Sequence, residues 1–323
     1  MAVYTKIYKE DILALSKKYS LGNIDTFSGI KKGIENTNYL LKSKKQKFIL
    51  TIFEKRVIKK DIPFFMKLMD FLNKSKVICP KPLKHHGNKY LTLINKKSAC
   101  IVSFLEGKDK KSLNNNDCYI VGKHIAKMHQ NTSKAKLYRK NSMGINNLGS
   151  LIKNTNFKLI NLDKNFKNFI SSNYFQIKKN WPQKLPSGII HGDLFIDNIF
   201  FNKKKFSGFI DFYFSANDFF MYEIAICVNA LCFDEKNKKF ILNKKKVTNL
   251  INGYETIKKI SDKEKNSLNI LCRGAALRYL LTRVYDFINT PKTALIKIKD
   301  PKEYYQKLQI HNKLNSFRDY INK

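Results

Sequence analysis

Ile189-Ile190-His191-Gly192-Asp193-Leu194-Phe195-Ile196-Asp197-Asn198, followed by Ser207-Gly208-Phe209-Ile210-Asp211-Phe212, is the stretch on which the reading of this chain turns. Its apolar runs, Gly188 to Ile190 and Phe206 to Phe212, have the composition of short buried strands. The polar residues then fall at strand ends or in a tight loop. An aspartate, an asparagine shortly after it and a second aspartate on a further apolar run are the groups that kinase-type phosphoryl transfer uses. The transferred group is highly charged, so the protein's task is to position the reactants and neutralise charge. Asp193 can receive or orient the proton of an attacking hydroxyl. Asn198 and Asp211 offer hard oxygens suited to Mg2+, and His191 is expected to brace the loop. Singly, each residue also fits an ordinary turn or strand end. Order, spacing and both apolar flanks together favour a phosphotransferase.

At 323 residues the chain is long enough for two lobes with sizeable cores. Its 43% hydrophobic and 13% aromatic content is that of a folded globular protein. The longest apolar stretch, Phe219 to Phe233, is interrupted by Glu223 and Asn229 and reads as a buried helix, not a membrane span. The N-terminus has no signal-peptide pattern, so cytoplasm is the expected compartment. Six cysteines lie scattered in apolar context without C-x-x-C or zinc-type spacing, which suits a reducing environment and argues against a cysteine metal site. Net charge is +37, nearly all of it from lysine spread along the chain, often beside asparagine. Such a spread fits solvated faces and A/T-rich codon usage, so no specific nucleic-acid partner is expected.

Periodicity predicts a helix over Tyr8 to Tyr19, strands over Ile24 to Ile34, Asn38 to Lys42 and Phe48 to Phe53, and a helix over Ile62 to Asn73 capped by Asp61. Strands Lys89 to Ile94 and Ser98 to Phe104 follow, and Leu105-Glu106-Gly107-Lys108 is the best boundary. Beyond it the chain turns mostly helical, with helices over Asn116 to Met128, Asn161 to Asn180, Phe219 to Phe233, Lys246 to Lys258 and Asp262 to Ile288. Ser261 and Glu264 form a capping box for the last. The expected class is α+β.

On these residues the chain resembles the aminoglycoside phosphotransferase/choline kinase superfamily, and within it most closely the proteobacterial homoserine kinases of that fold. The match is carried by Gly33 to Leu41, Phe48 to Arg56, Pro63-Phe64-Phe65, Cys79-Pro80-Lys81-Pro82, Phe104-Leu105-Glu106-Gly107, His191 to Phe195, Ile210 to Phe214 and Arg273 to Arg278. It implies a protein-kinase-like two-lobed fold: an ATP-binding N-lobe over 1–105, an antiparallel sheet plus helix, and a larger, mostly helical catalytic and substrate-binding C-lobe over 106–323. It also implies ATP, with Mg2+, as phosphoryl source and the side-chain hydroxyl of L-homoserine as acceptor. A kinase of another hydroxylated amine, such as choline or an aminoglycoside, is the alternative. Residue by residue, Asp193 carries over as the catalytic carboxylate, and Asn198 and Asp211 as metal ligands. The loop bearing Gly33, Asn36 and Asn38 would lie over the ATP phosphates, and the hinge backbone of Ser103 to Leu105 would meet the adenine. A monomer is expected, with a dimer as the alternative.

One departure stands out. Where many members of the superfamily place a phosphate-gripping lysine, this chain has Thr51, and the following helix shows Phe65 and Met66 in place of the partner glutamate. Lys55, four residues on, is the substitute candidate. For the acceptor, an amino acid needs an anion for its ammonium and a cation for its carboxylate. Asp218 is the candidate anion, with Asp197 and Glu223 as alternatives, and Tyr213 a candidate wall residue. Arg278 and then Arg273 are the candidate cations. Arg273, Arg278 and Arg283 stand about 140° apart in turn around one helix, so all three cannot serve one pocket.

Overall fold

The computed structural model describes residues 4–30, 36–54, 57–160, 162–290 and 298–322. In chain order the elements begin α1 (Lys9–Tyr19), β1 (Thr26–Gly29), β2 (Thr37–Lys42), β3 (Lys47–Ile52), α2 (Ile62–Lys74), β4 (Leu91–Ile94) and β5 (Lys97–Ser103). Then come α3 (Asn115–Thr132), α4 (Ile145–Lys153), α5 (Phe166–Lys179), β6 (Ser187–Ile190), β7 (Ile199–Asn202), β8 (Lys205–Phe209) and β9 (Ala216–Phe219). The chain closes with α6 (Phe220–Leu231), β10 (Phe233–Lys236), β11 (Lys239–Leu242), α7 (Lys244–Glu255), α8 (Asp262–Asn289) and α9 (Lys302–His311).

Two compact units divide the chain: residues 1–108 with 200–213, and residues 109–199 with 214–323. The sequence suggested one cut after residue 105; the structure instead gives the 200–213 segment to the first unit. The cause is backbone pairing. Lys108 and Phe201 exchange N–H···O bonds of 3.0 and 2.9 Å, and Phe209 N–H donates to Ile78 O at 3.1 Å.

The first unit is built on a five-stranded antiparallel sheet in the order β1-β2-β3-β5-β4. Side chains alternate along these strands. Tyr39, Leu41, Leu50, Ile52 and Ile101 join Ile12, Leu15 and Tyr19 of α1 in one core; burying each such side chain contributes about 1.5–3 kcal/mol. Thr51 has the opposite parity to Leu50 and Ile52. Helix α2 buries Phe65, Met66, Met69 and Leu72, the i, i+1, i+4, i+7 stripe of an amphipathic helix. Asp61 does not cap it: the residue is itself helical, ends a 3-10 turn over Lys59–Asp61, and makes no side-chain cap bond.

In the second unit, α3 and α7 meet at paired glycines. A Cβ at Gly122 would lie 2.0 Å from Leu250 O, and one at Gly253 would lie 1.9 Å from Tyr119 O. Apart from Glu223 and Asn229, helix α6 is apolar all round, and it is buried along nearly its whole length, as such a pattern demands. Helix α8 starts on the expected box: Glu264 N–H donates to Ser261 Oγ (3.4 Å) and Ser261 N–H to the Glu264 carboxylate (3.0 Å). Strand β6 pairs antiparallel with β9, Ile190 opposite Ala216. Helices α4 and α9, strands β7 and β9 and the β10–β11 pair escaped the sequence reading, whereas β8 falls within the expected Phe206 to Phe212 run. Both helices start without a side-chain cap, after Gly144 and Pro301. The helix expected from Asn161 starts at Phe166, because Asp163 turns the chain first, accepting Asn165 N–H on its carboxylate (2.7 Å) and Phe166 N–H on its carbonyl (3.1 Å). Among the described residues no helix is long and apolar enough to cross a membrane.

Candidate active site

Strand β6 delivers His191, Gly192 and Asp193 into a turn fixed from three sides. Gly192 sits at φ +79°, and a Cβ there would come within 2.8 Å of Phe214 O, so both conformation and space call for glycine. Glu223, from the first turn of α6, is fully buried and spends its carboxylate on the backbone: His191 N–H donates to Oε2 and Gly192 N–H to Oε1 at 3.0 Å. From α8, Arg278 Nη1 donates to Gly192 O at 2.9 Å. Ser215 Oγ donates to His191 O at 3.3 Å.

The Asp193 carboxylate emerges from this turn with Tyr279 hydroxyl 3.1 Å from Oδ1. Asn198 Nδ2 donates to Asp193 O at 2.8 Å and stands 3.5 Å from Oδ2. Burial pushes the Asp193 carboxyl above its ordinary range, while Arg278, His191 and the Tyr279 hydrogen bond pull it back down. His191 is wholly buried and takes part through its backbone as a brace. Because the Asn198 amide nitrogen is committed to Asp193 O, its oxygen is the atom that can meet a cation.

Asp218 lies on β9 in the same unit. Its carboxylate accepts from Asn141 Nδ2 at 2.6 Å and from Phe219 N–H at 2.8 Å, and burial raises its pKa despite those bonds and the nearby Arg278. Residues 139–141 run along β9. Arg139 N–H donates to Asn217 Oδ1 (2.8 Å), its carbonyl accepts Asn217 N–H (2.8 Å), and its guanidinium reaches Ser215 O (3.0 Å). Arg139 thus meets Asn217 and Ser215, the residues next to Asp218 and Phe214 in the chain.

Of the two favoured arginines, Arg278 lies near Asp193 and Asp218 and Arg273 does not. Arg278 is 3% exposed and holds the His191-Gly192-Asp193 turn, its guanidinium also over the Phe214 ring at 5.9 Å. Arg273 reaches back to α5, to Gln176 at 2.9 Å and Asn173 at 3.5 Å. Arg283 pairs with Glu303 at 2.5 Å. Glu223 serves as the clamp of the turn, not as an ammonium site, and Asp197 lies 3.9 Å from Lys299. Behind Glu223, His129 stacks on Phe220 and bonds Tyr254 hydroxyl at 3.0 Å, a packing role. Tyr279 and Arg139 were not singled out by sequence. The one signal for Glu223 was an acid in an otherwise apolar run.

In the first unit, Asn38 and Thr51 face each other across β2 and β3, and Thr51 Oγ1 donates to Asn38 Oδ1 at 2.8 Å. Tyr213 hydrogen-bonds Thr51 and Cys100, and its ring packs edge-on to Phe53 (5.1 Å) and Phe65 (5.7 Å). A neutral hydrogen-bond cluster and aromatic rings therefore occupy the position where the superfamily pattern places its lysine–glutamate pair. Asn36 Oδ1 accepts Glu54 N–H at 3.4 Å. Asp211 is exposed and adopts φ +65°, a conformation that short polar residues tolerate. Ser103 ends β5 and accepts Lys81 N–H on its hydroxyl at 2.9 Å, with Leu105 two residues on against the position of Gly208. Gly33 and Lys55 lie outside the described residues.

A model of the phosphotransferase enzyme family matches residues 26–238. The homoserine kinase of Sinorhizobium medicae is 38% identical over 320 residues, spanning 99% of this chain and 97% of that protein. That of Nitrobacter hamburgensis is likewise 38% identical over the same shares. Among solved structures, an amicoumacin kinase in complex with AMP-PNP, Ca2+ and Ami superposes with a TM-score of 0.72 at 14% identity, covering 97% of each chain. Choline kinase from Cryptosporidium parvum gives 0.64 at 15% identity over 95% of each. These structural likenesses show the expected α+β, protein-kinase-like fold.

Proposed function

The chain belongs to the phosphotransferase enzyme family, with the homoserine kinases as its full-length relatives, and from that premise we infer that it transfers the γ-phosphoryl group of ATP to the side-chain hydroxyl of L-homoserine, giving O-phospho-L-homoserine for threonine biosynthesis. The observation that carries this reading is the His191-Gly192-Asp193 turn, in which Glu223 and Arg278 hold the backbone while the Asp193 carboxylate stays directed by Tyr279.

Asp193 orients the acceptor hydroxyl and takes its proton as the oxygen bonds to phosphorus. The bond from phosphorus to the β,γ-bridging oxygen breaks, and ADP leaves with the electron pair. The raised carboxyl of Asp193 is suited to accepting that proton. Asn198, through its amide oxygen, and Asp211, through its carboxylate, have the hard-oxygen chemistry to hold Mg2+. When bound, that ion neutralises phosphate charge. Asn36, Asn38 and the Ser103 to Leu105 backbone are the proposed contacts of ATP. For the acceptor, Asp218 receives the ammonium, and Arg278, close to Asp218 and Asp193, and Arg139, whose guanidinium reaches Ser215 O, are the proposed partners of the carboxylate, ahead of Arg273, which turns toward α5. The six buried free thiols accord with a cytoplasmic setting.

The test is ADP release from Mg-ATP with L-homoserine, choline, kanamycin or L-serine as acceptor. Turnover is expected on homoserine, lost by at least a hundredfold in Asp193→Asn, with the KM for homoserine but not for ATP raised in Arg139→Gln. Turnover confined to choline or kanamycin would replace the acceptor and keep the kinase.

A further inference from the structure

Asp193 has two carboxylate oxygens, and only one can face the acceptor; the structure shows what holds the other. Tyr279, on α8 and 6% exposed, places its hydroxyl 3.1 Å from Asp193 Oδ1 and 3.2 Å from Gly192 O. Gly192 O already receives the charged Nη1 of Arg278 at 2.9 Å. A carboxylate is the stronger acceptor of the remaining pair, because a hydrogen bond to an ionised group is shorter and stronger than one to a neutral carbonyl. Burial raises the phenol pKa well above its ordinary value, so the proton to donate stays on Tyr279.

The ring has little freedom. It meets Phe195 edge-on at 4.8 Å, lies against Tyr304 at 5.2 Å, and carries the Arg278 guanidinium over its face at 4.8 Å. A donor so packed fixes the torsion of the carboxylate it holds. Oδ2 is differently served: its neighbour Asn198 Nδ2 stands 3.5 Å away and makes its shorter bond to Asp193 O.

We propose that Tyr279 is a positioning residue of the phosphoryl transfer: its hydroxyl ties down Oδ1 of Asp193 and thereby assigns Oδ2 to the acceptor hydroxyl. The proposal rests on the reading of Asp193 as the catalytic carboxylate. Without the tie, the carboxylate turns about its Cβ–Cγ bond and spends less time in the productive pose, which slows the chemical step and leaves substrate binding alone.

The test compares full-length wild type, Tyr279→Phe and Tyr279→Leu in steady-state kinetics with Mg-ATP and L-homoserine. Thermal unfolding is recorded alongside. Tyr279→Phe keeps the ring and its packing, so a fall in kcat of about tenfold or more is expected, with both KM values within twofold and a Tm lowered by no more than the loss of one hydrogen bond. Tyr279→Leu should lose the same kcat and also melt earlier, which separates the hydroxyl from the ring. Wild-type kcat in Tyr279→Phe overturns the proposal. So does a fall accompanied by a matching rise in KM, or by a drop in Tm as large as that of Tyr279→Leu, because either would make the residue a substrate contact or mere packing. Asp193→Asn, run in parallel, isolates the underlying reading: if it turned over like wild type, the assignment of Asp193 would fall first and Tyr279 with it.

Discussion

Gly192 concentrates at one position most of what the His191-Gly192-Asp193 turn requires. Its φ of +79° disfavours any side chain, and the carbonyl of Phe214 stands where a Cβ would go, 2.8 Å away. Gly192→Ala is therefore expected to lose at least a hundredfold in kcat, since Asp193 follows directly on the displaced backbone, and to cost about 1–3 kcal/mol of stability; kinetics and urea unfolding of the variant check both. Order and spacing singled out His191, Gly192, Asp193, Asn198 and Asp211 as candidates, and the first four meet at one turn. The contacts of the arginines were not legible in this way. Arg278 looked like a carboxylate ligand because arginine commonly is one, but nothing in sequence brings Gly192 O to it across 86 residues.

At the scale of elements, α8 shows how far a pattern reaches. Its capping box fixed the start, and the 140° separation correctly denied one pocket to three arginines. Each has its own partner: Gln176, Gly192 O and Glu303. Helix α9 was hidden by its composition, because a lysine, Lys307, stands among the Tyr304, Tyr305, Leu308 and His311 side chains that it buries. Lys307 is 3% exposed, donates to Asn229 O at 2.7 Å and pairs with Glu303 at 2.6 Å, which also receives Arg283. The burial cost of that lysine is met by Glu303 and by the rings of Tyr304, Phe233 and Phe240 at 4.8, 5.1 and 5.2 Å. Removing the shared acid strands two buried cations. Glu303→Ala is expected to lose about 3–5 kcal/mol in urea unfolding, with Glu303→Gln recovering part of it; a loss below 1 kcal/mol would show the triad to be solvated.

Over the whole molecule, the net charge of +37 said little about function, while buried histidines say something about acid stability. Burial pushes His311 down to about 3, helped by Lys307 and Arg273, and His124 down to about 4, helped by Lys127 and Lys123. It lowers His129 as well, against the pull of Glu223. An unfolded histidine titrates near 6.5. Between that value and the folded ones the unfolded chain binds protons that the folded chain does not, so these groups withdraw stability as pH falls from about 6.5 toward 4. The raised carboxyls of Asp193 and Asp218 act in the opposite sense, gaining stability as they take up protons on acidification. His311→Gln isolates one histidine. Its Tm is expected to fall less between pH 7 and pH 5 than that of wild type, and parallel pH curves would count against the assignment.

The membership of residues 200–213 in the first unit has a consequence for how the protein is made. A ribosome releases the chain from one end. When residue 108 has emerged, every strand of the five-stranded sheet exists, yet Phe201 has not arrived to pair with Lys108, nor Tyr213 to bond Thr51 and Cys100. At about 5–20 residues per second, roughly 5–20 seconds separate the two events. During that interval the sheet's Thr51 face waits without its Tyr213 cover while residues 109–199 are synthesised, so the unit begun first cannot be completed until a large part of the second has already emerged.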